Sequence, residues 1–368
     1  MRINNIILEN FRNYKQLELN FNPGRNIIVG ENAQGKTNLI EAIYLAAFAR
    51  SFRTNNAGDM VRFGEKTGRV NVEINSEDID KSINIVIRDD GKKMIQKDGK
   101  VIRKTADLLN NIVVIIFSPD DLRIIKDSPD KRRSYINREL SQMRPHYYEL
   151  LKNYNEALKQ KNALLKGAFN KEVMDVFDHQ LADAAYEIIR YRREFVEMLS
   201  AEASDIMSAI SGGKETLRVE YKTSCDFISA PEGREILYKQ FYHHRDRDIY
   251  AGNATLGPHR DDLEFYINDI DAKKYGSQGQ QRTVALSLKL AEIRIAKQLL
   301  DEYPILLLDD VLSELDLDRQ QFLVNQIEDV QLFITSAELN DEVIEHLKGG
   351  TLFRVESGTI LSSLYPYF

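Results

Sequence analysis

Strand-like and helical hydrophobic patterns follow one another along the chain and divide it into three stretches. Residues 3–8, 17–21 and 27–29 read as short strands. Residues 70–74 and 83–87 alternate apolar and polar positions, the pattern of half-buried strands. Asp89-Asp90-Gly91 and Asp98-Gly99 are turn signals, so this region predicts a meander of hairpins. Residues 111–117 form a further apolar run, closed by Ser118-Pro119.

From residue 120 to 213 the period changes to helical. Tyr147, Leu150, Leu151, Tyr154, Leu158, Ala163 and Leu164 recur near helical spacing. After a break at Gly167, Val173, Val176, Phe177, Leu181, Ala184, Ala185, Ile188 and Ile189 do the same. This predicts two long antiparallel helices, stopped at Gly212-Gly213. The heptads last too briefly for a long coiled-coil arm. From residue 216 onward strands return: 217–221 as strand, 232–250 as helix, 280–300 as a strong helix. Residues 305–308 are a short apolar run bounded by Pro304 and two aspartates, the mark of a central parallel strand, and 331–335 read as the next strand. The domain expectation is 1–119, then a mainly helical insert at 120–250, then 251–368 rejoining the first lobe.

Composition narrows the class. The 368 residues are 43% hydrophobic and 29% charged, enough for two or three units with real cores. No apolar run reaches the ~20 residues that span a bilayer, and no signal-peptide core follows Met1. A single cysteine, Cys225, allows no intramolecular disulfide and fits a reducing cytoplasm. The net charge of −7 means that any nucleic-acid binding must use a local basic patch.

The strongest chemical signal is Gly30-Glu31-Asn32-Ala33-Gln34-Gly35-Lys36-Thr37, which fits G-x-x-x-x-G-K-[ST] between a predicted strand and a predicted helix. In that context the glycines let backbone N–H groups turn around an anion, and the helix N-terminus adds partial positive charge. Lys36 then reaches the β- and γ-phosphates of ATP, and Thr37 holds Mg²⁺ through its hydroxyl. Without its flanking elements the pattern is only a glycine turn.

Asp309 and Asp310 follow the 305–308 strand, at the edge where parallel α/β sheets bind ligands. Asp309 is placed to serve Mg²⁺ and Asp310 to orient water for hydrolysis. A carboxylate pair at a strand tip alone is often just a solvated turn. Tyr275-Gly276-Ser277-Gln278-Gly279-Gln280-Gln281-Arg282 leads into a helix and offers another anion site, though an N-cap alone would look the same.

Ser277-Gln278-Gly279-Gln280 resembles the signature core of ABC-type ATPases. Ser313-Glu314-Leu315-Asp316, after the aspartate strand, is similar to their D-loop. The order of motifs is harder to obtain by chance than any one of them. Thr37 and Ser277 lie 240 positions apart, longer than in transporter ATPases and far shorter than in SMC proteins. Together with Asn10-Phe11-Arg12-Asn13-Tyr14, Ser118-Pro119-Asp120-Asp121 and Leu256-Gly257-Pro258-His259-Arg260-Asp261-Asp262, these motifs resemble the RecF family over essentially the whole chain.

The resemblance implies an α/β fold: an ABC-type P-loop ATPase head with a mixed or antiparallel N-terminal sheet and a helical insert. It implies an ATP-dependent DNA-binding protein of recombinational repair, replication restart and the SOS response. ATP would drive formation of a homodimer on DNA at single-strand gaps and single-strand/double-strand junctions. Slow, DNA-stimulated hydrolysis would release it, and RecR and RecO would act with it to load RecA. Arg12 and Asn13 would approach the nucleotide. Ser277, Gly279 and Gln280 would act in trans, across a two-fold interface, on the partner's γ-phosphate. Ser313 and Asp316 would form the D-loop. Asp310 stands where many ABC ATPases carry Glu, and the shorter acid fits a slow switch. The histidine common in the transporters' switch loop is absent, and Thr335-Ser336 take its place.

Arg50, Arg53, Arg62, Lys131, Arg132 and Arg133 are the candidate DNA-phosphate contacts, each weighed against a plain solvated basic face. His243-His244 lack a metal-ligand pattern around them. Two other classes remain: a small-molecule P-loop kinase, which needs no trans contact, and an SMC-like DNA tether, which needs more reach than this insert offers.

Overall fold

The computed structural model describes residues 1–167, 170–327, 329–337 and 350–362. The chain opens with β1 (Arg2–Phe11), β2 (Tyr14–Asn20), β3 (Arg25–Val29), α1 (Lys36–Phe48), β4 (Thr67–Ser76), β5 (Ile79–Arg88), β6 (Lys93–Lys97), β7 (Lys100–Ile102) and β8 (Val114–Phe117). A helical stretch follows: α2 (Pro129–Met143), α3 (Pro145–Lys166) and α4 (Lys171–Ile210). Next come β9 (Leu217–Lys222), α5 (Gly233–His243), α6 (Arg245–Ala251), β10 (Asp262–Ile267), β11 (Ile270–Asp271) and α7 (Ala272–Tyr275). The last described elements are α8 (Gln278–Leu300), β12 (Ile305–Asp309), α9 (Leu317–Asn325), β13 (Leu332–Ser336), β14 (Thr351–Glu356) and β15 (Thr359–Ser362).

The residues separate into two compact units. One joins residues 1–122 to the described residues from Ala285 onward, and the other is 123–284, so one boundary falls inside α8. The first unit holds two six-stranded sheets. One is the hairpin meander, order β2-β1-β4-β5-β6-β7, with its neighbouring pairs antiparallel. The other has the order β15-β14-β3-β13-β12-β8 and is parallel except at β15. Helix α1 contacts β4 and β5 of one sheet and β12 and β13 of the other. This is why it lacks a polar face: Leu39, Ile40, Ile43, Leu45 and Phe48 are all buried. Each such side chain contributes roughly 1.5–3 kcal/mol of burial. The mouth of the glycine loop is therefore anchored on a helix held from both sides.

The second unit packs α4 against α3, α5 and β9, beside the antiparallel sheet β11-β10-β9. Helix α4 runs 40 residues, about 60 Å. It stays buried at intervals from Met174 to Met207. Residues 232–250 are two helices, not the single one expected, because the chain breaks at His244. Buried ions brace this unit. Lys161 Nζ lies 2.8 Å from both Asp178 and Asp248. Arg192 donates to Tyr147 Oη at 3.0 Å, to the Asn137 amide oxygen at 3.0 Å and to the Pro258 carbonyl at 2.7 Å. Thus the Gly257-Pro258-His259-Arg260 turn is fixed from beneath. Burial pushes the Cys225 thiol up to about 12, which leaves it unreactive at neutral pH. Among the described residues no helix is long and apolar enough to cross a membrane.

Candidate functional site

Three parallel strands bring the site together. β3 ends in the glycine loop, β12 ends at Asp309, and β13 runs between them. Their register sets Asp309 opposite Thr335 and Ser336 opposite Val29. All these residues therefore share one edge of the sheet, with α1 rising from it.

Gly35 caps α1 at φ 126°, a conformation that a side chain would strain. A Cβ there would also come within 2.8 Å of the Asn13 amide. Asn13 donates to the Gln34 carbonyl at 2.7 Å and accepts from Asn38 at 2.8 Å, so the β1–β2 turn holds the loop in shape. The β14–β15 turn holds its other side, with Gly358 N–H donating to the Gln34 carbonyl at 2.9 Å. The Gln34 side chain accepts from Ser357 N–H at 2.5 Å. Glu31, Asn32 and Ala33 form the outer loop, and Ala33 is left-handed at φ 65°. The Lys36 ammonium folds back over the loop and donates to the carbonyls of Gly30 at 2.7 Å and Glu31 at 3.0 Å.

Thr37 Oγ1 donates to Asp309 Oδ1 at 3.0 Å across 272 positions of sequence. Thr335 Oγ1 donates to the same oxygen at 2.7 Å and accepts from Asp310 N–H at 3.0 Å. Asp310 is left-handed at φ 52°, unusual for a non-glycine residue. Its carbonyl accepts from Ser313 Oγ at 2.9 Å. Asp316 caps α9 by accepting from Arg319 N–H at 3.0 Å. Thr37 and Asp309 supply hard oxygen donors side by side, the set that suits Mg²⁺.

Burial holds the Asp309 carboxyl above its ordinary range, against the pull of its two threonine donors. Its ionised form is therefore disfavoured in the folded protein. That cost is absent below the ordinary carboxylate range, where both states are protonated, and complete above the raised value. Asp309→Asn should raise the thermal midpoint of the ligand-free protein at neutral pH. The gain should shrink as pH falls through the raised value. Calorimetry at neutral and acid pH checks this, and an unchanged or lower neutral midpoint would contradict it.

Arg12 points its guanidinium at Glu41 on α1, donating at 2.8 and 2.6 Å, and donates at 2.6 Å to the Asp59 carbonyl. Glu41 is completely buried and also accepts from Ser51. Sequence reasoning missed Glu41, and it placed Thr335 after the strand without giving it a role at Asp309. A lone acid inside Leu39-Ile40-Glu41-Ala42-Ile43 was the available signal for the first. A polar pair ending an apolar strand was the signal for the second.

Ser277 is exposed at the N-terminus of α8. Its hydroxyl accepts from Gln280 N–H at 3.2 Å, and Gln280 Oε1 accepts from Ser277 N–H at 2.8 Å. This reciprocal pair is a capping box. The Gln280 amide also donates to Glu215 at 2.7 Å, while Gly279 follows Ser277 in the first turn.

Among the basic residues, Arg50 and Lys131 are exposed and Arg62 is half-buried. Arg53 donates to Asn38 at 2.7 Å. Arg132 is a correction. It is buried, pairs with Asp262 at 2.6 and 2.8 Å and donates to the carbonyls of Ile124, Ile125 and Asp127, so it braces the second unit and offers nothing to a phosphate. Arg133 is engaged likewise, with Asp130 and with the Asp261 carbonyl at 2.6 Å.

The model of the RecF/RecN/SMC N terminal domain family matches residues 2–357. The chain is 41% identical over 367 residues to the DNA replication and repair protein RecF of Clostridioides difficile, covering 98% of each. It is 40% identical over 368 residues to that of Halalkalibacterium halodurans, covering 98% of this chain and 99% of the other. Among solved structures it is similar to the recombination mediator protein RecF–ATP of the RecFOR pathway. There the identity is 34% and the TM-score 0.90, over 99% of this chain and 98% of that one. An Smc head bound to the C-winged helix domain of ScpA shares the fold at 19% identity and TM-score 0.57, over 100% of this chain and 98% of that one. A glycine loop and an aspartate strand on one sheet edge, a capped serine turn and full-length similarity at these identities place the chain in the RecF family.

Proposed function

We propose that the chain is an ATP-dependent DNA-binding switch of recombinational repair, which closes as a homodimer on gapped or junction DNA and reopens on slow hydrolysis. The observation that carries this reading is the meeting of Thr37 and Asp309 at 3.0 Å beside a glycine loop braced on two sides. The loop N–H groups and the α1 N-terminus would cradle the phosphates of ATP. Lys36 would leave the Gly30 and Glu31 carbonyls for the β- and γ-phosphates. Thr37 and Asp309 would hold Mg²⁺, whose charge offsets that developing between those phosphates. Asp310 would orient the attacking water, its backbone fixed by Thr335 and Ser313.

The relatives' description as DNA replication and repair proteins, and the RecFOR pathway of the solved neighbours, support DNA as the second ligand. On this reading RecR and RecO act with the closed dimer in loading RecA. Among the described residues α4 spends its length against α3, α5 and β9, which speaks against a tether. A kinase reading would leave the exposed serine turn of α8 without a purpose.

Asp310→Asn keeps shape and removes charge. It should retain ATP binding, lower turnover, and lengthen the life of the ATP-stabilised dimer on gapped DNA. Phosphate release and dimer lifetime are the measurements. Hydrolysis at the wild-type rate would show that Asp310 is not the hydrolytic acid, and a phosphorylated small-molecule product would favour the kinase.

A further inference from the structure

The segment joining α1 to β4 carries an aromatic ring that the fold does not use. Phe63 is fully exposed, while its neighbours Met60 and Val61 are buried. It sits second in a tight turn, closed by Glu65 N–H donating to the Arg62 carbonyl at 3.0 Å, with Gly64 left-handed at φ 86° in the third position. The turn is pinned at its base. Arg62 N–H donates to the Asn10 carbonyl at 2.8 Å, Asp89 N–H donates to the Lys66 carbonyl at 3.1 Å, and Phe11 bridges to Val61. The ring is therefore held out in water by ordered backbone.

The segment that carries it is charged opposite to the chain as a whole. Residues 48–69 carry five cations, Arg50, Arg53, Arg62, Lys66 and Arg69, against two acids, in a protein of net charge −7. Arg53 and Arg69 stand near Glu41 and Glu9. Among the described residues Arg50, Arg62 and Lys66 have no carboxylate within ion-pair distance. A protein partner would call for a contiguous apolar patch. One exposed ring flanked in the chain by Arg62 and Lys66 matches a nucleotide instead: a π-face for a base and ammonium or guanidinium groups for the adjoining phosphates.

We propose that Phe63 stacks on an unpaired base of bound DNA while Arg62 and Lys66 meet the flanking phosphates, so that this turn reads the single-stranded side of a junction. The inference rests on the DNA-binding reading above. It adds a recognition element that a phosphate patch lacks, since a stacking ring needs the open face of an unpaired base.

The chain contains no tryptophan, so Phe63→Trp places a single reporter at the tip. Full-length wild type, Phe63→Ala and Phe63→Trp are titrated with ATP and gapped, single-stranded or blunt duplex DNA. Because the ring packs on nothing, thermal midpoints should be unchanged. Phe63→Ala should bind gapped and single-stranded DNA roughly tenfold more weakly, with little change on blunt duplex. Phe63→Trp should restore affinity, and its fluorescence should be quenched by gapped and single-stranded DNA and not by duplex. Wild-type affinity in Phe63→Ala on all three DNAs, or equal loss on duplex, would overturn the stacking role and leave the function standing. Quenching by another protein of the pathway and not by DNA would reassign the turn to a protein contact. A wild-type protein that binds none of the three DNAs would overturn both the inference and the function.

Discussion

Lys36→Ala is expected to weaken ATP binding by about 2–3 kcal/mol, roughly 30- to 150-fold in affinity. The ammonium is the one side-chain cation inside the glycine loop, Gly30 to Thr37. In this structure it already rests on the loop, at 2.7 Å from the Gly30 carbonyl and 3.0 Å from that of Glu31. Exchanging those neutral acceptors for ionised phosphate oxygens turns hydrogen bonds charged on one side into bonds charged on both. The loop itself should keep its shape, because Asn13 and Gly358 hold it through the Gln34 carbonyl and Tyr14 Oη donates to the Gly35 carbonyl at 3.1 Å. Calorimetric titration with ATP measures the loss, and the thermal midpoint reports on the fold. Near-wild-type affinity would remove the phosphate-loop assignment.

Ser277→Arg is expected to abolish ATP-dependent dimerisation while leaving ATP binding by the monomer nearly intact. Ser277 is exposed at the start of a 23-residue helix, where its hydroxyl and the first-turn N–H groups favour an anion. The proposed anion is the γ-phosphate held by a partner's Gly30 to Thr37. A bulky cation at that point would block the closed interface. The same change removes the hydroxyl that caps Gln280, so about 1 kcal/mol of stability should also be lost. Ser277→Thr separates the two effects, since it keeps a capping hydroxyl and should still dimerise. DNA binding should weaken in Ser277→Arg without any change in DNA contacts, because two surfaces no longer act together.

Local pattern made the hairpin sheet, the glycine loop and the aspartate strand legible. Alternation along β4 and β5, turn residues at Asp98-Gly99 and the short apolar run of β12 each depend on neighbours in sequence. So does the serine turn, where a polar cap precedes a long periodic helix. What escaped depends on partners far along the chain. Arg132 looks like a surface cation until Asp262, 130 positions on, is placed beside it. Thr335 becomes part of the site only through the β12–β13 register that sets it opposite Asp309. Glu41 is tolerated in the core only because Arg12 arrives from the β1–β2 turn, 29 positions earlier. The break at His244 was hidden because both helices flanking it keep helical spacing.

In the proposed function, ATP binding is converted into pairing of two copies. ADP lacks the phosphate that Ser277 would meet, and a ligand shifts an equilibrium only by its differential affinity for the two states. Light scattering of the wild-type protein with ATP, with ADP and without nucleotide tests this most directly. A doubled mass is expected with ATP alone, and one mass in all three conditions would show that ATP does not drive pairing.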